Sequence, residues 1–116
     1  MARNKASDPE RFFLIYRELC RAWKIYLKEH FSKAATPHAG FRTLHLCFYI
    51  FRHPECSLRE VAEIAGLSAG AASALVDALC DSGLLNRAPS PADRRRICLT
   101  VTPAIAAFLE QVGRFC

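Results

Sequence analysis

Residues able to act on another molecule concentrate in two stretches. Asp93-Arg94-Arg95-Arg96 puts three guanidinium groups in a row, at the end of the turn-rich segment Pro89 to Asp93. Exposed charges add little to stability. The cluster therefore reads as a contact for anions, suited to phosphates and to a narrow minor groove with its enhanced negative potential. A solvated charge run is the plain alternative. Asp93 is placed to pair with Arg95 and hold the tip. The second stretch is Leu58 to Ser82. Counting from Leu58, small residues fall at positions 5, 9 and 15 (Ala62, Gly66, Ala72), and apolar ones at 4, 8, 10 and 18 (Val61, Ala65, Leu67, Leu75). Closely crossing helices need a small residue at the crossing and a sharp turn between them. The pattern predicts a helix-turn-helix whose second helix is the candidate major-groove reader. A pair of helices used only for packing is the alternative.

These stretches need elements to position them. Ser7-Asp8-Pro9-Glu10 reads as a helix start, with Ser7 or Asp8 as the cap. The helix runs to about Phe31, and a wider boundary of 8–33 is assigned to it. Phe12, Tyr16, Leu19, Trp23 and Tyr26 form one apolar line, and Phe13, Cys20, Leu27 and Phe31 a second. So wide a band suits contact with both its own domain and a second subunit; a single buried helix in a monomer is the alternative. Pro37 and Gly40 break the pattern. Phe41 to Arg52 is a second helix, with Phe41, Leu44, Phe48 and Phe51 as the expected core stripe and Arg42, His45, Tyr49 and Arg52 on the polar side. Ser57 with Glu60 is a capping box opening a third helix to Ala65. Ser68 caps a fourth helix, 68–82, which Gly83 ends. A strand from Leu84 to Ala88 and a return strand from Arg96 to Val101 make a hairpin. Thr102 caps a last helix with Pro103 in its first turn.

Composition fits this frame. The 116 residues are 52% hydrophobic and 23% charged, as in one globular domain, 1–116. Net charge is +5, and residues 1–52 hold 10 Lys/Arg against 4 Asp/Glu. A basic chain points to an anionic partner, nucleic acid first and an anionic membrane surface second. No apolar run approaches the roughly 18 residues of a membrane span, and Met1 to Ser7 lacks the apolar core of a secretory signal. The expectation is a cytoplasmic protein without a membrane partner. The six cysteines (20, 47, 56, 80, 98 and 116) contain no CxxC pair. They read as free thiols, mostly buried, with Cys116 the most exposed.

The string Leu84-Leu85-Asn86-Arg87-Ala88-Pro89-Ser90-Pro91-Ala92-Asp93-Arg94-Arg95-Arg96, followed by Leu99-Thr100, resembles the wing of the MarR family of bacterial transcriptional regulators. The order of elements also resembles that family. The fold class so implied is mostly α with a small β-hairpin wing, a winged helix-turn-helix. The resemblance implies a homodimer, probing a pseudo-palindromic operator as a repressor. Helices 8–33 and 103–116 would form the dimer region and 41–102 the DNA-binding region, reading with helix 68–82 and wing 84–101. Carried over by position, the DNA-binding residues are Ser57, Arg59, Ser68, Ala69, Gly70, Ser73, Ala74, Arg87, Arg94, Arg95 and Arg96. Relatives also bind small aromatic effectors, for which Trp23, Tyr26, Phe41, His45 and Tyr49 are the candidate lining; core aromatics are the alternative. Some relatives sense peroxide through a cysteine near the first helix, and Cys20 stands nearest that place.

Two departures from the family stand out. The reading helix has no Arg, Lys, Asn or Gln, the types that make bidentate contacts to guanine or adenine. Readout then falls to the wing and DNA shape, or the scaffold serves as a protein-interaction module instead. Only 15 residues run from Thr102 to Cys116, where the family usually has two helices. No phosphate-cradling loop, Ser-His-Asp context or HExxH motif is present. The sequence is therefore read as a non-enzyme with no cofactor and no metal; His53 to Cys56 has tolerable ligand spacing but nothing more.

Overall fold

The computed structural model describes residues 8–31 and 37–114. Its elements follow the order α1 (Asp8–His30), α2 (Phe41–Arg52), α3 (Leu58–Ala65), α4 (Ala69–Asp81), β1 (Leu85–Pro89), β2 (Ile97–Val101) and α5 (Pro103–Gly113). Ser7, residues 32 and 33, and Cys116 lie outside the described residues. The strands form an antiparallel pair in which Leu85 faces Val101 and Pro89 faces Ile97. This is the winged helix-turn-helix expected from the sequence.

Local signals set the element ends. The Ser57 hydroxyl accepts the Glu60 amide at 3.2 Å, and the Glu60 carboxylate accepts the Ser57 amide at 3.3 Å, completing the capping box. Gly66 turns with φ 68°, and the Leu67 amide returns to the Ala62 carbonyl at 2.9 Å. Gly83 does the same for α4 with φ 86°, while the Leu84 amide bonds the Leu79 carbonyl at 2.9 Å. Thr102 stands at the cap position of α5, but its hydroxyl donates to the Gly83 carbonyl at 2.8 Å rather than capping the helix. That bond ties the end of the wing to the end of α4.

One core joins all the helices. Trp23 and Leu27 of α1 meet Leu44, Leu46, Cys47 and Ile50 of α2, Val61 of α3, Val76 and Leu79 of α4, Leu99 of β2, and Ile105 and Leu109 of α5. The Trp23 indole donates to the His38 carbonyl at 3.1 Å, and the Tyr26 hydroxyl to the Ala104 carbonyl at 2.7 Å. These two bonds pin α1 to both of its neighbours.

Two expectations need correction. The core face of α2 is Thr43, Leu44, Leu46, Cys47 and Ile50, not the aromatic stripe. Phe41 is 42% exposed, and Phe48 and Phe51 are only half-buried. The helix is turned by about one residue's step, roughly 100°, because it packs against α1, α3, α5 and β2 at once. Its smaller side chains fill that crowded side, and Arg52 lies over the displaced Phe48 ring at 5.9 Å. The two apolar lines of α1 are buried only at Trp23 and Leu27. Phe12, Phe13, Leu14 and Ile15 are 50–66% exposed, so the first half of α1 stands clear of the core. Among the described residues no single helix is long and apolar enough to cross a membrane.

Gly66→Ala adds a Cβ at a left-handed position and is expected to cost about 1 kcal/mol. Gly70→Ala, where an added Cβ meets nothing within 4 Å, is expected to be neutral or stabilising by about 0.5 kcal/mol. Urea unfolding of the two variants checks this contrast.

Candidate nucleic-acid interface

The reading pair is held by its crossing. Ala72 and Val76 of α4 and Val61 of α3 have no exposure. On the other side of α4, Ala69, Gly70, Ala71, Ala74, Asp77 and Asp81 are exposed, and Ser73 is half-buried. Gly70, Ala74, Asp77 and Asp81 share one stripe by helical spacing. Ser68 is exposed and its hydroxyl oxygen accepts the Ala71 amide at 3.2 Å. The outward surface of the first two turns is therefore almost smooth.

Asp77 does face outward, where it would repel phosphate. Arg87 of β1 answers it with a hydrogen-bonded ion pair. That bond, with the Asp77 charge, holds the Arg87 guanidinium further above its ordinary range. The pair links the reading helix to the base of the wing. Arg59 pairs along α3 with Glu63 at 3.7 Å. Ser57 is half-buried at its cap.

The wing tip is built from short bonds. The Asp93 carboxylate accepts the Arg95 amide at 3.0 Å and faces its Nε at 3.6 Å, as the sequence implied. The Arg96 amide donates to the Asp93 carbonyl at 3.0 Å, and the Ser90 amide to the Arg96 carbonyl at 2.8 Å. Ser90, 8% exposed, accepts the Ala92 amide and donates to the Glu55 carboxylate, each at 3.2 Å. The Leu99 amide bonds the Cys56 carbonyl at 3.1 Å. The hairpin is thus tied at two points to the corner between α2 and α3. Among the described residues Arg94 and Arg96 form no ion pair, and both are exposed. The Asp77–Arg87 and Glu55–Ser90 links carry no sequence signal, since each joins residues brought near only by the fold.

Among the described residues the candidate effector residues sit in different packing surroundings. Trp23 is sealed in the core. Tyr26 packs on Phe108 at 4.9 Å, and Phe41 lies between Tyr16 and His45. Tyr49 stacks on His53 at 4.1 Å and donates to Glu60 at 3.1 Å. Burial first, then that bond, raises the Tyr49 phenol above its usual range. A groove of about 550 Å³ lies elsewhere, between Leu14, Ile15, Glu18, Leu19 and Ala22 of α1 and Phe108, Gln111 and Val112 of α5.

Cys20 is half-buried beside Tyr16, whose phenol is raised by burial and by this neighbour. Cys47, Cys56 and Cys98 are buried thiols. Burial pushes Cys47 up to about 12, and burial with the Glu60 charge pushes Cys56 to about 11. Among the described residues no group of three His, Cys, Asp or Glu is placed to hold a metal ion.

Residues 46–96 match the model of the MarR family. No curated protein sequence matches the chain. Solved structures do. FabT of Streptococcus pneumoniae in complex with DNA is 19% identical with a TM-score of 0.62, over 92% of this chain and 72% of that one. A MepR variant of S. aureus bound to an oligodeoxyribonucleotide is 16% identical with a TM-score of 0.59, over 96% and 77%. The heme sensor PefR of Streptococcus agalactiae in complex with heme is 23% identical with a TM-score of 0.57, over 96% and 74%. At these identities the likeness establishes the fold.

Two outcomes follow from this geometry. A double-mutant cycle of Asp77→Ala and Arg87→Ala should give a stability coupling of no more than about 1 kcal/mol, because both side chains are substantially exposed. The raised thiols predict a pH effect. Unfolded thiols titrate near 9.0, so the folded chain holds these protons more tightly. Stability from Cys47 and Cys56 is intact below that value and is lost as pH rises toward about 11 and about 12. Unfolding midpoints measured from neutral to alkaline pH, compared with Cys47→Ala, check the sign.

Proposed function

We propose, from the match of residues 46–96 to the MarR family model, that the chain is a DNA-binding transcriptional regulator. In this reading it acts as a dimeric repressor in the cytoplasm. The first turns of α4 enter the major groove of a pseudo-palindromic operator, and the wing tip reaches the adjacent minor groove. The observation that carries the proposal is the braced tip. Asp93 and the Glu55–Ser90 tether fix a hairpin end that presents Arg94 and Arg96, which are exposed and form no ion pair among the described residues. Bracing of this kind reduces the ordering cost of a contact before it forms. The DNA held in the FabT and MepR structures supports the same use of the fold. No step of the proposal requires catalysis.

The dimer rests on α1. Phe12 to Ile15 are four successive apolar residues, each at least half exposed. Successive helical positions point around the axis, so one neighbour of the same chain cannot cover them. The groove between α1 and α5 offers a second copy an apolar seat beside them. A second reading, a protein-interaction module, is favoured by the smooth α4 face, which lacks a base-reading side chain.

Fluorescence anisotropy with a mixed-sequence duplex across a salt series separates the readings. Wild type should show a steep salt dependence. Arg94→Ala with Arg95→Ala should weaken binding and flatten the slope by about 0.9 per lost phosphate contact. Unchanged affinity and slope in the double variant would favour the interaction module. Sedimentation velocity should show a dimer that Phe12→Ser with Phe13→Ser converts to monomer.

A further inference from the structure

Most basic residues of the chain lie outside α4 and the wing. Residues 53–116 hold 6 Lys/Arg against 7 Asp/Glu, whereas residues 1–52 hold 10 against 4. Four of those ten stand in one line on α1. Arg17, Arg21, Lys24 and Lys28 follow a 4-3-4 spacing. That spacing puts them within about 60° of arc along roughly 16 Å of helix. All four are exposed, and among the described residues none forms an ion pair. Glu18 and Glu29 fall on the other flank of the helix. Glu10 stands in the same line, seven residues before Arg17. Each successive pair of cations is an i,i+3 or i,i+4 like-charge pair, which weakens a helix. The line therefore costs stability in the free chain, and a row of anions laid along it would remove that cost.

Duplex DNA supplies such a row. Each strand carries a phosphate about every 3.4 Å of axis, or about five over the length of the stripe. A duplex on α4 and the wing leaves the stripe free. α1 packs on α2 and α5, and α4 on α3 and β1, with the common core between them. The groove between α1 and α5 opens on Leu19 and Ala22, on the flank away from Lys24 and Lys28. A second copy seated in that groove leaves the stripe in solvent.

We infer that α1 is a second, sequence-independent contact for a duplex backbone, made by Arg17, Arg21, Lys24 and Lys28 and separate from α4 and the wing. A chain bound through its wing then holds a second duplex. The α1 contact does not depend on the wing reading, and its test keeps the two apart.

The chain carrying Arg94→Ala with Arg95→Ala isolates the α1 contact. It should retain weak binding to the mixed-sequence duplex in fluorescence anisotropy. Adding Arg17→Gln, Arg21→Gln, Lys24→Gln and Lys28→Gln should remove that binding, with a loss of salt slope of about 0.9 per phosphate contact. In the otherwise wild-type chain the same fourfold Gln change should keep the affinity for one duplex. It should abolish energy transfer between two duplexes labelled with donor and acceptor. Its urea midpoint should equal or exceed that of wild type, since like charges have been removed. Energy transfer that persists in the fourfold variant, or a salt slope that it leaves unchanged, overturns the inference and leaves the wing reading standing. Stripe-dependent binding of phosphatidylserine vesicles or polyglutamate, with none to the duplex, overturns it too. Binding lost in the fourfold variant but intact in the wing double variant supports the α1 contact and overturns the wing reading.

Discussion

The close crossing of α3 and α4 is the constraint on which the rest of the molecule depends. It works because the chain is small where the helices approach and free of a Cβ where it turns. Ala72 of α4 is fully buried, and Gly66 takes the left-handed turn that returns Leu67 to Ala62. Once α4 is set, Val76 and Leu79 reach the common core on one side. The opposite side is necessarily bare, because the residues left there are Gly70, Ala74 and two aspartates. The packing that makes the reading pair and the smoothness of its outward face have one origin in composition.

The wing follows from the end of α4. Gly83 turns the chain into β1, and the Thr102 hydroxyl brings the end of β2 back to the same place. Glu55–Ser90 and Cys56–Leu99 then fasten the hairpin to the corner before α3. Around this frame most charges are matched locally: Arg59 with Glu63, Arg87 with Asp77, Arg95 with Asp93. Such exposed pairs stabilise little. Their effect is to direct the side chains, and among the described residues Arg94 and Arg96 of the tip form no ion pair.

The sequence was informative wherever structure is decided within a few residues. Ser57 with Glu60, Ser68, Gly66 and Gly83 mark helix ends to within one residue, since each acts through backbone groups nearby. The hairpin and the Asp93–Arg95 pair were legible for the same reason. The face of α2 was not. Aromatic size suggested Phe41, Phe48 and Phe51, whereas crowding by four neighbours selects Thr43 and Cys47. The charge state of the α4 stripe was equally hidden. Asp77 looks repulsive by itself, and only the fold brings Arg87 across to it. The aromatic residues grouped as an effector lining are divided among Trp23 in the core, Tyr26 on α5 and Tyr49 beside α3.

In the proposed function α4 and the wing meet an anionic duplex as one braced surface. The most direct measurement is amide hydrogen exchange of the wild-type chain with and without a duplex at low salt. Slowed exchange is expected in peptides covering 68–75 and 90–97 together, with the segment 8–15 of α1 unchanged by DNA. Protection confined to α1, with the wing exchanging as in the free protein, would contradict it.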